Sequence, residues 1–104
     1  MAAYEQALAN NLAAVRERIS AAARRSGRPA DSVTLVAVTK YVDTDVTRCL
    51  VEAGCTILGE SRPQGLWEKA ESLRQLSIEW HMIGHLQRNK VRRSLPFLSC
   101  IQSV

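Results

Sequence analysis

At 104 residues with a formal net charge of +4, the chain has room for one small domain and is too short for two. Its 46% hydrophobic and 23% charged residues are the proportions of a folded globular protein, which excludes a disordered chain, and the charge excess is small enough for a scattered basic surface. Three cysteines, Cys49, Cys55 and Cys100, form no CxxC pair and leave an odd number, so each is expected as a small buried hydrophobe in a reducing compartment.

The opening MAAYEQALANN has neither the basic nor the apolar region of a signal peptide, and no apolar run approaches the length of a membrane span. A cytoplasmic protein without a membrane anchor is the expectation. Residues 3–26 place Leu8, Leu12, Val15, Ile19 and Ala23 on one helical face, with Gly27 and Pro29 as the stop. VTLVAV, residues 33–38, reads as a strand covered on both faces. Asp43, Thr44 and Asp45 open a second helix that ends at Gly54. The strand CTILG follows.

Ser61 and Gln64 then fit a capping box around Pro63, opening a helix over 63–76 with Leu66, Trp67, Ala70 and Leu73 as its apolar stripe. Gly65 in its first turn weakens that assignment. IEWHMIG, residues 78–84, is a third strand, residues 86–95 a basic helix, and residues 98–104 a fourth strand. Strands alternating with helices at this spacing imply an α/β fold with parallel pairing. Periodicity leaves an open doubly wound sheet and part of a barrel equally available. The loop after the first strand has neither GxGxxG nor GxxxxGK[ST], so neither a dinucleotide nor a nucleoside triphosphate site is supported.

In either architecture the C-terminal ends of the strands form the functional rim. Thr39-Lys40-Tyr41, Gly59-Glu60-Ser61-Arg62 and Gly84-His85-Leu86-Gln87 all fall there. A lysine that forms a Schiff base must present its neutral amine, which desolvation against apolar walls favours. From position and type alone, Lys40 is more often a solvated residue beginning a loop. His81 shares a strand face with Glu79 and Ile83, where a hydrogen-bonded core histidine is the commoner case. His85 is the weaker candidate. Ser61 is expected first as a helix cap. Both histidines lie far in sequence from the cysteines, so no metal site is expected. Arg88, Lys90, Arg92 and Arg93 carry no interleaved aromatic, so the run reads as a solvated outer face and nucleic acid is not an expected partner.

Taken together, VTLVAVTK, EAGCTILGESRPQGLWEKAESL and IEWHMIGHLQRNKVR, in this order and spacing, resemble the pyridoxal phosphate homeostasis protein family, once called proline synthetase co-transcribed homologues and similar to the N-terminal barrel of alanine racemases. The resemblance runs over nearly the whole chain. It implies a (β/α)8 TIM barrel of fold-type III that binds pyridoxal 5′-phosphate (PLP) as a Schiff base on the lysine ending the first strand, here Lys40. It also implies cofactor contacts from Ser61, which stands where the family's GEN loop has asparagine, from the strand histidine His81, and from Asn89, which with Gln87 and Lys90 matches an LQxNK segment at the rim.

Such proteins are regarded as carriers or regulators of PLP and amino-acid pools without established turnover, with the complete protein expected as a monomer. The alternative is a racemase-type PLP enzyme, which needs a second acid/base opposite the cofactor; neither Tyr4 nor Tyr41 is clearly placed for it. A complete barrel takes about 250 residues and holds phosphate on loops after its seventh and eighth strands. Residues 1–104 are therefore expected to be the N-terminal half of one PLP-binding barrel domain, about four strands plus an N-terminal helix. Open edges on such a fragment favour self-association.

Overall fold

The computed structural model describes residues 2–102, with side chains from residue 5 onward. The chain forms two compact units, residues 1–35 and residues 36–104.

The first unit is helix α1, Ala2–Arg25, followed by a single 3-10 turn, Ala30–Ser32, packed on it. Leu12 and Ala23 are buried and Leu8 and Ile19 half-buried, but Val15 is 44% exposed. At 3.6 residues per turn Val15 lies about 80° around the helix from Ala23, at the far edge of the expected stripe. The helix ends in a Schellman motif. Arg28 N–H donates to Ala23 O at 2.8 Å and Gly27 N–H to Arg24 O at 3.1 Å, with Gly27 at the φ of +78° that this turn needs.

The second unit runs β1 (Ala37–Val38), α2 (Thr44–Glu52), β2 (Ile57–Glu60), α3 (Pro63–Ser72), β3 (Glu79–Met82), α4 (Arg88–Ser94), a 3-10 turn (Leu95–Phe97) and β4 (Leu98–Ile101). The four strands pair in parallel in the order β1-β2-β3-β4. A doubly wound sheet reverses its strand order at a switch point; this sheet has no reversal. Right-handed crossovers taken in one direction keep their helices on one face.

The buried layer is that face. Leu58, Glu60, Trp80 and Met82 are buried, and α3 packs over β2 and β3 through Leu66, Lys69, Ala70 and Leu73. The expected stripe on α3 named Trp67 and overlooked Lys69. Trp67 turns instead to α4, where its Nε1–H donates to Ser94 Oγ at 2.9 Å and the Arg93 guanidinium lies 4.1 Å from its ring centroid. One residue of the basic run is thus occupied in helix packing.

Several expected boundaries shrink. The strand expected over 33–38 is ordered as strand only at Ala37–Val38, and Val33 and Val38 are 41% and 51% exposed. It is an edge strand paired with β2 alone, and the exposure of Val38 leaves one of its faces uncovered. The strands expected over 78–84 and 98–104 occupy Glu79–Met82 and Leu98–Ile101, residues 103 and 104 lying outside the described residues. No disulfide joins the cysteines among the described residues; Cys55 is buried while Cys49 and Cys100 are half-buried. Cys100 pairs in register with His81 across the irregularity between β3 and β4.

Ser61 does not cap α3. The N-cap is Arg62, with φ −123° and ψ 131° and no side-chain capping bond. Pro63 at the first helical position forces the residue before it into extended backbone, which moves the helix start one residue past the expected cap. Asp43 does cap α2, its Oδ1 accepting from Val46 N–H at 2.9 Å.

Candidate functional site at the C-terminal ends of the strands

The register aligns the exits of the strands. Val38 pairs with Gly59 and Gly59 with His81, so Lys40 and Ser61 each follow the same row by two residues. The loops after β2 and β3 touch through their backbones. A Cβ on Gly84 would lie 2.3 Å from Ser61 O and 2.9 Å from Ser61 Cα, closer than any side chain tolerates. Only glycine permits this approach, and it holds Ser61 beside the exit of β3.

Lys40 sits in the turn directly after Thr39 and is exposed. Its Nζ lies 5.0 Å from the Tyr41 ring centroid, and Tyr41 is itself 88% exposed. This exposure matches the solvated residue beginning a loop that position and type favour, with the Tyr41 ring as its recorded neighbour among the described residues. Among the described residues no ion pair involves Lys40.

His81, 8% exposed, is held at both ring nitrogens. Glu79 Oε2 lies 3.0 Å from Nε2 and Gln102 Nε2 lies 2.9 Å from Nδ1. The proton arrangement that satisfies both has Nε2–H donating to the Glu79 carboxylate and Nδ1 accepting from the Gln102 amide. The ring is therefore fixed in plane, on the sheet face opposite α3, by neighbours from its own strand and from the end of β4. Asn89 lies exposed in the first turn of α4, and His85 and Gln87 are exposed ahead of that helix. Of the four expected cofactor residues, the strand register places Lys40 and Ser61 two residues beyond the row in which His81 lies. No hydrogen bond among the described residues links any two of the four, and Asn89 stands apart on α4.

The sequence reading missed the most constrained cluster in the unit. Glu60, at the last position of β2, is 2% exposed and Lys69 of α3 is 7% exposed. Lys69 Nζ donates to Glu60 Oε2 at 2.8 Å and also to the backbone carbonyl of Thr39, while Thr39 Oγ1 donates to Glu60 Oε2. A signal was present. Lys69 falls between Leu66 and Leu73 at spacings of three and four, in the middle of an apolar stripe, where an unpaired ammonium would be costly. Gly65, the doubtful residue of the first turn, has its explanation here: a Cβ on it would lie 2.9 Å from Glu60 Oε1. The first turn of α3 is built around that carboxylate. No group of three or more histidine, cysteine, aspartate or glutamate residues is placed to hold a metal ion, and no helix is long and apolar enough to cross a membrane, among the described residues.

No family model matches the chain, but individual proteins do. It is 41% identical over 93 residues to the pyridoxal phosphate homeostasis protein of Aquifex aeolicus, covering 89% of this chain and 41% of that one. The protein of the same name from Escherichia coli strain K12 is 41% identical over 88 residues, covering 82% of this chain and 38% of its own length. The chain is thus similar to proteins named pyridoxal phosphate homeostasis protein. It spans about two-fifths of the length of those relatives.

Solved structures agree with that kinship. A crystal structure from Bifidobacterium adolescentis superposes with a TM-score of 0.89 at 35% identity, over 98% of this chain and 46% of that one. PipY of Synechococcus elongatus PCC7942, solved with PLP bound, superposes with a TM-score of 0.76 at 34% identity, over 93% of this chain and 42% of its own. Against the requirements of such a cofactor, the donor set at this rim is suitable in one respect that counts. The chain has three lysines, at 40, 69 and 90. Lys69 is buried and committed to Glu60, Lys90 is half-buried on α4, and Lys40 alone is exposed at a strand exit with no acidic partner.

Proposed function

We propose that this chain contributes the first four strands of a PLP-binding (β/α)8 barrel of fold-type III, both units belonging to one domain, and that it serves intracellular PLP and amino-acid homeostasis as a carrier or regulator rather than by catalytic turnover. Lys40 holds the cofactor covalently through its amine. Ser61, His81 and Asn89 are its further contacts. The observation that carries the reading is the place of Lys40 in the turn directly after β1, at the C-terminal end of a parallel sheet whose strand order has no switch point.

When bound, PLP supplies an electrophilic aldehyde to a lysine amine. The chain's own residues do the rest. The turn after β1 presents Lys40, the contact of Ser61 with Gly84 fixes the neighbouring loop, and His81 offers a ring whose orientation is set by Glu79 and Gln102. The complete protein acts as a monomer in the cytoplasm in this reading. Titrating the 104-residue chain with PLP and following the visible absorption of the bound cofactor tests it. Saturable binding that is lost in Lys40→Ala is the expected result; identical titrations of the two proteins would refute it.

A further inference from the structure

We propose that Lys69 is a positioning residue for Lys40: paired with Glu60 in the core, it clamps the Thr39 carbonyl and so sets the direction in which Lys40 leaves the sheet. The inference rests on the reading of Lys40 as the cofactor-bearing lysine.

Thr39 is fully buried, and every polar group it has is engaged. Its N–H donates to Gly59 O at 3.0 Å and its hydroxyl to the Glu60 carboxylate. Its carbonyl accepts from Lys69 Nζ and, at 3.2 Å, from Val42 N–H. That carbonyl and the N–H of Lys40 belong to one planar peptide group. Holding the oxygen therefore orients the plane from which the Lys40 Cα and side chain depart. The side chain itself is exposed and lies over the Tyr41 ring, with no ion pair among the described residues, so the restraint on this lysine comes from its backbone.

The cluster's composition argues for a task other than stability. Replacing a buried ion pair by apolar residues of similar volume is often neutral or stabilising. An apolar residue at position 69 would pack under the sheet as well as a lysine, but it could not donate to a carbonyl. Glu60 keeps the ammonium in place, and Gly65 leaves room for its carboxylate.

The experiment compares wild type, Lys69→Met and the double variant Glu60→Gln/Lys69→Met in the 104-residue chain. Each is treated with PLP and borohydride, the label is located by peptide mass spectrometry, and the ratio of Lys40 to Lys90 labelling is read beside the thermal midpoint. Lys69→Met should lose both stability and the Lys40 preference. The double variant removes the unpaired charge and keeps an acceptor for the Thr39 hydroxyl, so its midpoint should recover. Its Lys40 to Lys90 ratio should stay far below wild type, by up to about 100-fold, the scale on which a misplacement of ~1 Å is felt. A ratio that recovers together with the midpoint overturns the proposal. If wild type itself shows no Lys40 preference towards PLP, the cofactor reading has failed separately. The same three proteins are then labelled with acetic anhydride, where a shifted Lys40 to Lys90 ratio in the folded double variant upholds the clamp and an unchanged one overturns it.

Discussion

Two ion pairs in the second unit have the same length and should differ several-fold in energy. Lys69 Nζ and Glu60 Oε2 are 2.8 Å apart with side-chain exposures of 9% and 3%, whereas Arg74 Nη1 and Glu71 Oε1 are 2.8 Å apart with exposures of 70% and 62%. Removing Lys69 as methionine keeps most of its volume but leaves the Glu60 carboxylate buried with only the Thr39 hydroxyl to donate to it. Breaking one partner of such a pair costs about 3–5 kcal/mol. Removing Arg74 as alanine costs ~1 kcal/mol or less, because both groups are solvated and the pair spans i,i+3 on a surface. Against a typical domain stability of about 5–15 kcal/mol, the first loss is large and the second hardly visible. Urea unfolding followed by tryptophan fluorescence reads both, since Trp67 and Trp80 report on this unit and Trp80 is buried. With unchanged m-values, the midpoint should fall far in Lys69→Met and little in Arg74→Ala. Losses within about 1 kcal/mol of each other, in excess of the ~1 kcal/mol ceiling for a surface pair, would refute the claim that burial rather than distance decides the worth of these pairs.

Other outcomes follow from single contacts. Gly84→Ala forces the loops after β2 and β3 apart, since the new methyl would meet Ser61 O at 2.3 Å; overpacking of this kind costs about 1–3 kcal/mol. It should also lower PLP capture at Lys40, both effects being read by urea unfolding and by the absorption titration. Asp43→Ala removes the acceptor for Val46 N–H and should lower stability by about 1 kcal/mol without changing PLP capture, as thermal unfolding and the same titration will show.

The elements were legible because their signals were local. Alanine-rich periodicity ahead of Gly27, the capping Asp43, and the β-branched and apolar runs around Leu58 and Trp80 each report on their own segment. The alternation of strands and helices was enough for a parallel sheet, but the choice between open and singly wound order depends on which strands become neighbours, and only the pairing of β1 through β4 supplies it. The shortened strands share that cause. Val33 and Val38 have the propensity for a buried strand, yet Val33 lies ahead of the paired residues and Val38 pairs with β2 alone, and both are part exposed.

The candidate site was legible in a different way. Lys40 and Ser61 were singled out because the ends of parallel strands converge, and His81 from its place within the third strand; the register sets Lys40 and Ser61 two residues beyond the row that holds His81. What went unread was what holds the rim together. Lys69 was left out of the stripe although it falls within it, and Gly65 was treated as a weak point in α3 although a carboxylate occupies the space beside it. Both depend on Glu60, nine residues before Lys69 in sequence, and on Thr39 from another strand. The exposure of Lys40 is likewise a tertiary fact, since nothing in VTLVAVTK says which walls the lysine will meet.

The central claim is that Lys40 is the amine that carries PLP, and its most direct test is chemical. The wild-type 104-residue chain is mixed with PLP, reduced with borohydride and digested, and the modified peptides are sequenced by mass spectrometry beside those of Lys40→Ala. The account predicts one dominant adduct on Lys40 and, in the variant, only minor labelling of Lys90 with none gained at Lys69. Label spread evenly over the lysines, at the same level in wild type and Lys40→Ala, would contradict it.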